Sequence, residues 1–277
     1  MPHASIAMNA IKSLSSKVSK ANALRRQFGI KAMVQHGIDT VGGKLFGFEA
    51  LTLVWLPVDE MKITLDLPDD TQMRFLTPAE VELFAQDPAN DFVESHVAKA
   101  HAGTDLCFAA LVDERLASYG WYTLGRAFSI GDHDMLMRGP SNAAYMHSGF
   151  THPDFRGRRL HGIGMGRALQ ALSERGVDAL LSDFIWSNHA SLKSCARLGY
   201  QMLGNLYSFG LGRHRCVSSP KAARSRGVTF ERSHEPETLP AIPGRLADAD
   251  LVALAGEGFS VHKDDVGADH RVARVGC

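Results

Sequence analysis

Two stretches of the chain combine residues that bind or handle charged groups at spacings that local structure can use. The first runs from His147 to Gly166. It places Pro153 after an extended segment, then Arg156-Gly157-Arg158-Arg159, then Gly162, Gly164 and Gly166, and then a helical pattern. A strand-to-helix turn of this composition suits a phosphate. The first backbone N–H groups of a helix lack intrahelical partners, and the helix dipole favours an anion beside them. Glycine lets the main chain approach closely, and arginine adds charge-assisted hydrogen bonds. The pattern GxxxxGK[ST] is absent, and no GxGxxG stands in the setting that a dinucleotide fold requires. A plain reading stands beside this one, with Arg158 and Arg159 a solvated pair and the three glycines easing helix packing.

The second stretch is Asn188-His189-Ala190-Ser191-Leu192-Lys193-Ser194-Cys195-Ala196-Arg197-Leu198-Gly199-Tyr200. It follows an apolar segment and ends in Leu-Gly-aromatic. Together the two stretches resemble the GNAT superfamily of N-acyltransferases. In that family V-x-P-x-(Y/F)-R-G-x-G-x-(G/A) binds the pyrophosphate of coenzyme A, and N-x-x-(A/S) followed by L-G-(F/Y) forms the next helix and strand. Thr151, Pro153, Phe155, Arg156 and Gly157 fit the opening of the first motif; Asn188, Ser191, Leu198, Gly199 and Tyr200 fit the second. The resemblance spans residues 72–212.

It has two departures. Arg159 and His161 stand where the first motif has small residues, and a shifted register, Arg159-x-x-Gly162-x-Gly164, also matches. The first register keeps the proline and aromatic in place and starts the helix sooner, whereas the shifted one puts Arg167 on the buried face. The second departure is Cys195, at the position where many members carry a tyrosine as general acid. A thiol can protonate a departing thiolate, but a buried, inert cysteine is the commoner case.

The resemblance implies direct transfer of an acyl group, most simply acetyl, from acetyl-CoA or another acyl-CoA to an amine, with no acyl-enzyme and no metal. Pantetheine would pair with the edge of strand Ala143–Thr151, and a backbone N–H near Phe150 or Thr151 would face the oxyanion. The diphosphate would lie on Arg156, Gly157, Arg158, Arg159, Leu160, His161 and Gly162, with Asn188 and Ser191 on the neighbouring helix. His147 and Tyr145, on one face of the strand, are candidate bases; His147 suits neutral pH better. The expected acceptor is a small-molecule or sugar amine. Acyl carrier protein as donor and a non-catalytic acyl-CoA-binding module are the competing readings.

The elements that must hold these residues read as follows. Residues 1–48 are helical in pattern, with Lys12, Lys17, Lys20, Arg25, Arg26 and Lys31 and no acid before Asp39. Such a helix either packs on its own domain with a solvated basic face or makes peripheral contact with an anionic membrane. Leu51 to Leu56 is extended and stops at Pro57. Met73–Leu76 is a strand, and Thr77-Pro78-Ala79-Glu80 a capped helix start. A helix over 91–102, strands over 106–112 and 116–124 joined at Asp113-Glu114, and a strand over 143–151 follow. Then come a helix over 160–175, a strand over 180–186, a helix over 188–198 and a strand over 200–210. The order β-α-α-β-β-β-α-β-α-β predicts an α+β or α/β fold: a GNAT-like mixed central sheet of six to seven strands flanked by helices. The division is an N-terminal helical extension and first strand (1–70), an acyltransferase-like domain (71–212) and a poorly ordered C-terminal tail (213–277) rich in Arg, Ser and Pro.

Whole-chain properties narrow the function classes. The 277 residues are 45% hydrophobic and 22% charged with a formal net charge of zero, so bulk nucleic acid is not favoured as a partner. Cys107, Cys195, Cys216 and Cys277 are scattered, without CxxC spacing, which together with the lack of a signal peptide predicts a cytoplasmic setting. Of the thirteen histidines none forms HExxH; Asp132-His133-Asp134 reads as a solvated turn before it reads as a metal site.

Overall fold

In the computed structural model the described residues are 22–23, 25–62, 67–124, 127–130, 135–211 and 214–232. Residues 1–21, Asp132-His133-Asp134 and 233–277 lie outside them. The described helices are α1 (Ile30–Phe46), α2 (Pro78–Ala85), α3 (Glu94–Ala102), α4 (Leu160–Ser173), α5 (His189–Leu198) and α6 (Lys221–Ser225). The strands are β1 (Glu49–Pro57), β2 (Thr71–Phe75), β3 (Asp105–Val112), β4 (Arg115–Leu124), β5 (Ala127–Ile130), β6 (Met135–Arg138), β7 (Ala143–Thr151), β8 (Ala179–Ile185), β9 (Gln201–Leu211), β10 (His214–Ser218) and β11 (Thr229–Arg232).

Local chemistry explains the frame of the site. Thr77 accepts from the Glu80 amide while Glu80 reaches back to the Thr77 amide, so α2 starts on a complete capping box with Pro78 in its first turn. Glu80 also takes the guanidinium of the buried Arg74 at 2.6 Å, tying α2 to β2. Asp113 and Glu114 both have positive φ, the twist that a two-residue hairpin between β3 and β4 requires. Gly199 ends α5 at φ 100°, and a Cβ there would stand 2.5 Å from the Glu60 carbonyl oxygen. The chain can turn into β9 only with glycine at this position.

The main sheet has eight strands in the order β10-β9-β1-β8-β7-β4-β3-β2, and β11-β6-β5 form a second, three-stranded sheet. Among the described strands only β7 and β8 pair in parallel, so the sheet is mixed, as the resemblance implies. It exceeds six or seven strands for two reasons. The apolar run Glu49–Pro57 enters the middle of the sheet, antiparallel to both β8 and β9. His214–Ser218 then adds an edge strand to β9. Residues 214–232, read from composition as tail, therefore supply β10, α6 and β11, because edge pairing satisfies their backbone where composition alone signals disorder.

One face of the sheet is covered by α4 and α5, around Val54, Phe75, Phe108, Tyr122, Met165, Leu169 and Cys195. On the other face two separate caps sit side by side. The small sheet and α6 cover Leu53, Leu181 and Leu206; α2 and α3 cover Cys107, Ala109 and Trp121. Tyr145 belongs to the first of these clusters and Trp121 to the second. His147 pairs opposite Trp121 on the neighbouring strand, so it stands where the two caps meet.

Candidate active site

Strand β7 is the organising element. Its pairing with β8 runs only from Ala143 to Tyr145, opposite Ala179 to Leu181. Beyond Leu181, β8 continues along β1 as far as Ile185. The two parallel strands therefore part after Tyr145, and residues 146–151 of β7 pair with β4 alone. On the β4 side, Trp121 pairs with His147 and Tyr119 with Phe150, so Ser148 and Gly149 together oppose Gly120. This is a β-bulge, and Ser148 takes φ 47° to make it. The strand beyond the bulge is held by the Ser118 hydroxyl, which donates to the Phe150 carbonyl at 2.8 Å, and by the His152 amide, which donates to the Ala117 carbonyl.

At the bulge lies a polar cluster. His147 Nε2 is 3.1 Å from Asp105 Oδ2 and 3.3 Å from Thr123 Oγ1, and its Nδ1 is 3.0 Å from Ser148 Oγ. Thr123 donates to the other Asp105 oxygen at 2.8 Å. Asp105 is 1% exposed and His147 18%. Burial alone would raise the Asp105 carboxyl, but the hydrogen bond and charge of His147, then Thr123 and Lys99, bring it below its ordinary value. An ionised Asp105 fixes the proton of His147 on Nε2, which leaves the Nδ1 lone pair on the side of the exposed Ser148. His96 stacks on Trp121 with centroids 4.8 Å apart. Burial, then the nearby His147, pushes His96 down to about 4, so it is neutral at pH 7.

Tyr145 stacks on His147 at 5.5 Å and donates its hydroxyl to Asp183. Burial first, then the charge of Asp183, raises its phenol well above the usual value. A phenol in that state stays protonated and bonded to Asp183, so Tyr145 does not supply the base that its place on the strand suggested. Cys195 also needs correction. It lies in the core beside Tyr200 and Met165, and burial pushes its thiol up to about 12. An acid that weak is mismatched to a thiolate, whose own conjugate acid lies about three units lower.

Strand β7 runs into a 3-10 turn, Pro153–Phe155, then Arg156 and Gly157 (φ 86°), and α4 begins at Leu160. This is the start that the first motif register implies. Arg159 occupies the N-cap in the left-handed conformation (φ 61°), at the position where the family motif has glycine. No side chain caps α4, so its first amides are not consumed by a cap. Arg156 and Arg159 are exposed, and Arg156 Nε donates to the Thr151 carbonyl. Arg158 turns away, bonded to Asp70 at 2.6 Å and to Thr71, so it braces the turn against β2. The His161 ring lies under the bulge, against Gly149, so its imidazole does not face the start of α4 as a binding group. Leu160 is buried, and Gly162 packs closely on Leu198. Asn188 caps α5 by accepting from the Ser191 amide at 3.2 Å, immediately after β8.

The structure thus joins His147, Tyr145, Phe150 and Thr151 on one strand that leads directly into Arg156–Gly162, and leaves Cys195 in the core. Sequence reading missed Asp105, Thr123, Ser148, Asp183 and His96. Asp183, a charge inside an apolar strand, was the one available signal. Among the described residues, no group of three His, Cys, Asp or Glu side chains is placed to hold a metal ion.

No family model matches the chain, and no curated protein is significantly similar to it. Among solved structures, the chain is similar to a GCN5-related N-acetyltransferase from Kribbella flavida at 16% identity and a TM-score of 0.42, over 60% of this chain and 59% of that one. It is also similar to an acetyltransferase from the GNAT family of Colwellia psychrerythraea, at 13% identity and a TM-score of 0.44, over 60% and 57% of the two chains. The matched part is less than two thirds of each of these solved chains.

Proposed function

We propose that the protein is an N-acyltransferase that moves an acyl group, acetyl in the simplest case, from a coenzyme A thioester to the amine of a small molecule or sugar. The observation that carries this reading is the parting of β7 from β8 after Tyr145, on a strand that ends at an uncapped helix start. An open strand edge offers main-chain donors and acceptors to the amides of a pantetheine arm. At the far end of the same edge, the amides of Leu160, His161 and Gly162, with Arg156 and Arg159, suit the diphosphate.

The bulge then sits where the thioester would arrive, and a main-chain N–H near Phe150 or Thr151 would serve the developing oxyanion. The amine nitrogen attacks the thioester carbonyl carbon; the C–N bond forms and the C–S bond breaks. His147 Nδ1 takes the amine proton, while Asp105 holds Nε2–H and balances the imidazolium. The thiolate leaves toward the open gap and is protonated from solvent, since Cys195 is unsuited to the task.

The test is a thermal-shift screen of the purified protein against acetyl-CoA, longer acyl-CoAs and acylated carrier protein, followed by turnover with a panel of amines. Stabilisation by an acyl-CoA with amine-dependent release of free thiol is expected. Stabilisation by acylated carrier protein that free coenzyme A does not compete away would move the donor assignment to the carrier. Binding without turnover of any amine would reduce the protein to a binding module.

A further inference from the structure

Helix α1 packs on the sheet through Ala32, Gln35 and Asp39; Asp39 accepts from the indole of Trp186 and the hydroxyl of Ser187 at the end of β8. Its outward side ought to be polar. Instead Ile30, Val34, Ile38, Val41 and Leu45 recur at steps of four, four, three and four, and all are between 42% and 65% exposed. At 3.6 residues per turn these five side chains fall within roughly 80° of the helix circumference. Isolated exposed apolar residues are ordinary, but a continuous stripe along a whole helix marks a contact surface.

Charge indicates what the stripe meets. Residues 1–38 hold six Lys and Arg and no Asp or Glu, in a chain with 30 of each sign, so the remainder carries an excess of six acids. Of the six, Arg25, Arg26 and Lys31 are described and exposed, at the start of the stripe. Exposed Arg25, Arg26 and Lys31 at the start of an apolar stripe match an anionic lipid surface: acyl chains take the aliphatic side chains and headgroups the cations. A second copy of the chain would bring the same basic segment against itself.

We propose that α1, with Arg25, Arg26 and Lys31 at its start, is a peripheral docking surface for anionic bilayers. The inference is independent of the acyltransferase reading and goes beyond it.

The experiment is flotation of the full-length protein with vesicles of phosphatidylcholine alone and of phosphatidylcholine with phosphatidylglycerol, at low and high salt. Sedimentation velocity without lipid and thermal denaturation run in parallel. The wild type is expected to float with the anionic vesicles, not the neutral ones, and to be released by salt. Val34→Asp with Val41→Asp, both at exposed positions, is expected to weaken binding by about tenfold or more while leaving the melting temperature within about 2 °C of wild type. Absence of flotation with anionic vesicles overturns the proposal, as does flotation that the two substitutions leave unchanged. A dimer dissolved by the same substitutions, without vesicle binding, assigns the stripe to a second copy. A large loss of thermal stability assigns it to another part of this chain.

Discussion

Gly149→Ala is the sharpest perturbation of the bulge. A Cβ at residue 149 would lie 2.3 Å from Cε1 and 2.7 Å from Nε2 of His161, and 3.2 Å from the Met146 methyl. Normal contact needs about 3.4 Å or more, so ring and strand must separate by about 1 Å. The ring has little room to withdraw. It is hydrogen-bonded to the Tyr119 backbone, and Tyr122, Leu160 and Met165 line the space around it. Overpacking of this kind costs about 1–3 kcal/mol, or roughly 2–12 °C in melting temperature for a domain of this size. If the strand yields instead of the ring, the bulge moves by a distance that can lower turnover about 10²-fold. The assay is a double-mutant cycle by thermal and urea denaturation, with kcat/KM measured on all four proteins. His161→Ala removes the obstacle, so Gly149→Ala should cost little in that background, giving a coupling of about 1 kcal/mol or more. An equal cost in both backgrounds, or no cost in either, refutes the packing of His161 beneath the bulge.

Three further outcomes follow from the same geometry. Asp105→Asn should lower kcat by about 10²–10⁴-fold with little change in KM for the acyl donor, because His147 loses the carboxylate that orients it; full activity would contradict the pairing. Cys195→Ala should keep kcat within about threefold of wild type, since its thiol at about 12 is not the acid, whereas a loss of two orders of magnitude would restore that role. Glu80→Gln should destabilise the fold by about 3–5 kcal/mol, because it leaves Arg74 buried without its carboxylate. Burial works against ionisation of Glu80, but Arg74 and Thr77 outweigh it and hold the folded value below 4.5. That contribution is therefore present above about pH 4.5 and lost as pH falls through the depressed folded value, so acid melts of wild type and variant should converge.

Elements with local signals were legible in the sequence. Thr77-Pro78-Ala79-Glu80 spells a capping box, Asp113-Glu114 a tight hairpin, Asn188 a cap and Gly199 a stop, and each depends on residues a few positions apart. The join from Thr151 to Leu160 was legible for the same reason. What escaped depends on distant pairing. Leu51 to Leu56 reads as an apolar strand, but nothing in it says that both its neighbours, β8 and β9, come more than 120 residues later. The short strands β5, β6, β10 and β11 have weak intrinsic patterns and exist because each finds a partner edge. The two side-chain pairs were hidden likewise, since His147 is 42 positions from Asp105 and Tyr145 is 38 from Asp183. Cys195 could be read either way until its surroundings in the core were known.

The claim on which the account rests is that the open edge of β7 and the first turn of α4 form one continuous binding surface for an acyl-thioester carrier. Amide hydrogen exchange with and without acetyl-CoA measures it directly. Added protection confined to residues 147–151 and 157–163 is the predicted result. Saturating acetyl-CoA that leaves both segments exchanging as before, or protects a different part of the chain, would contradict it.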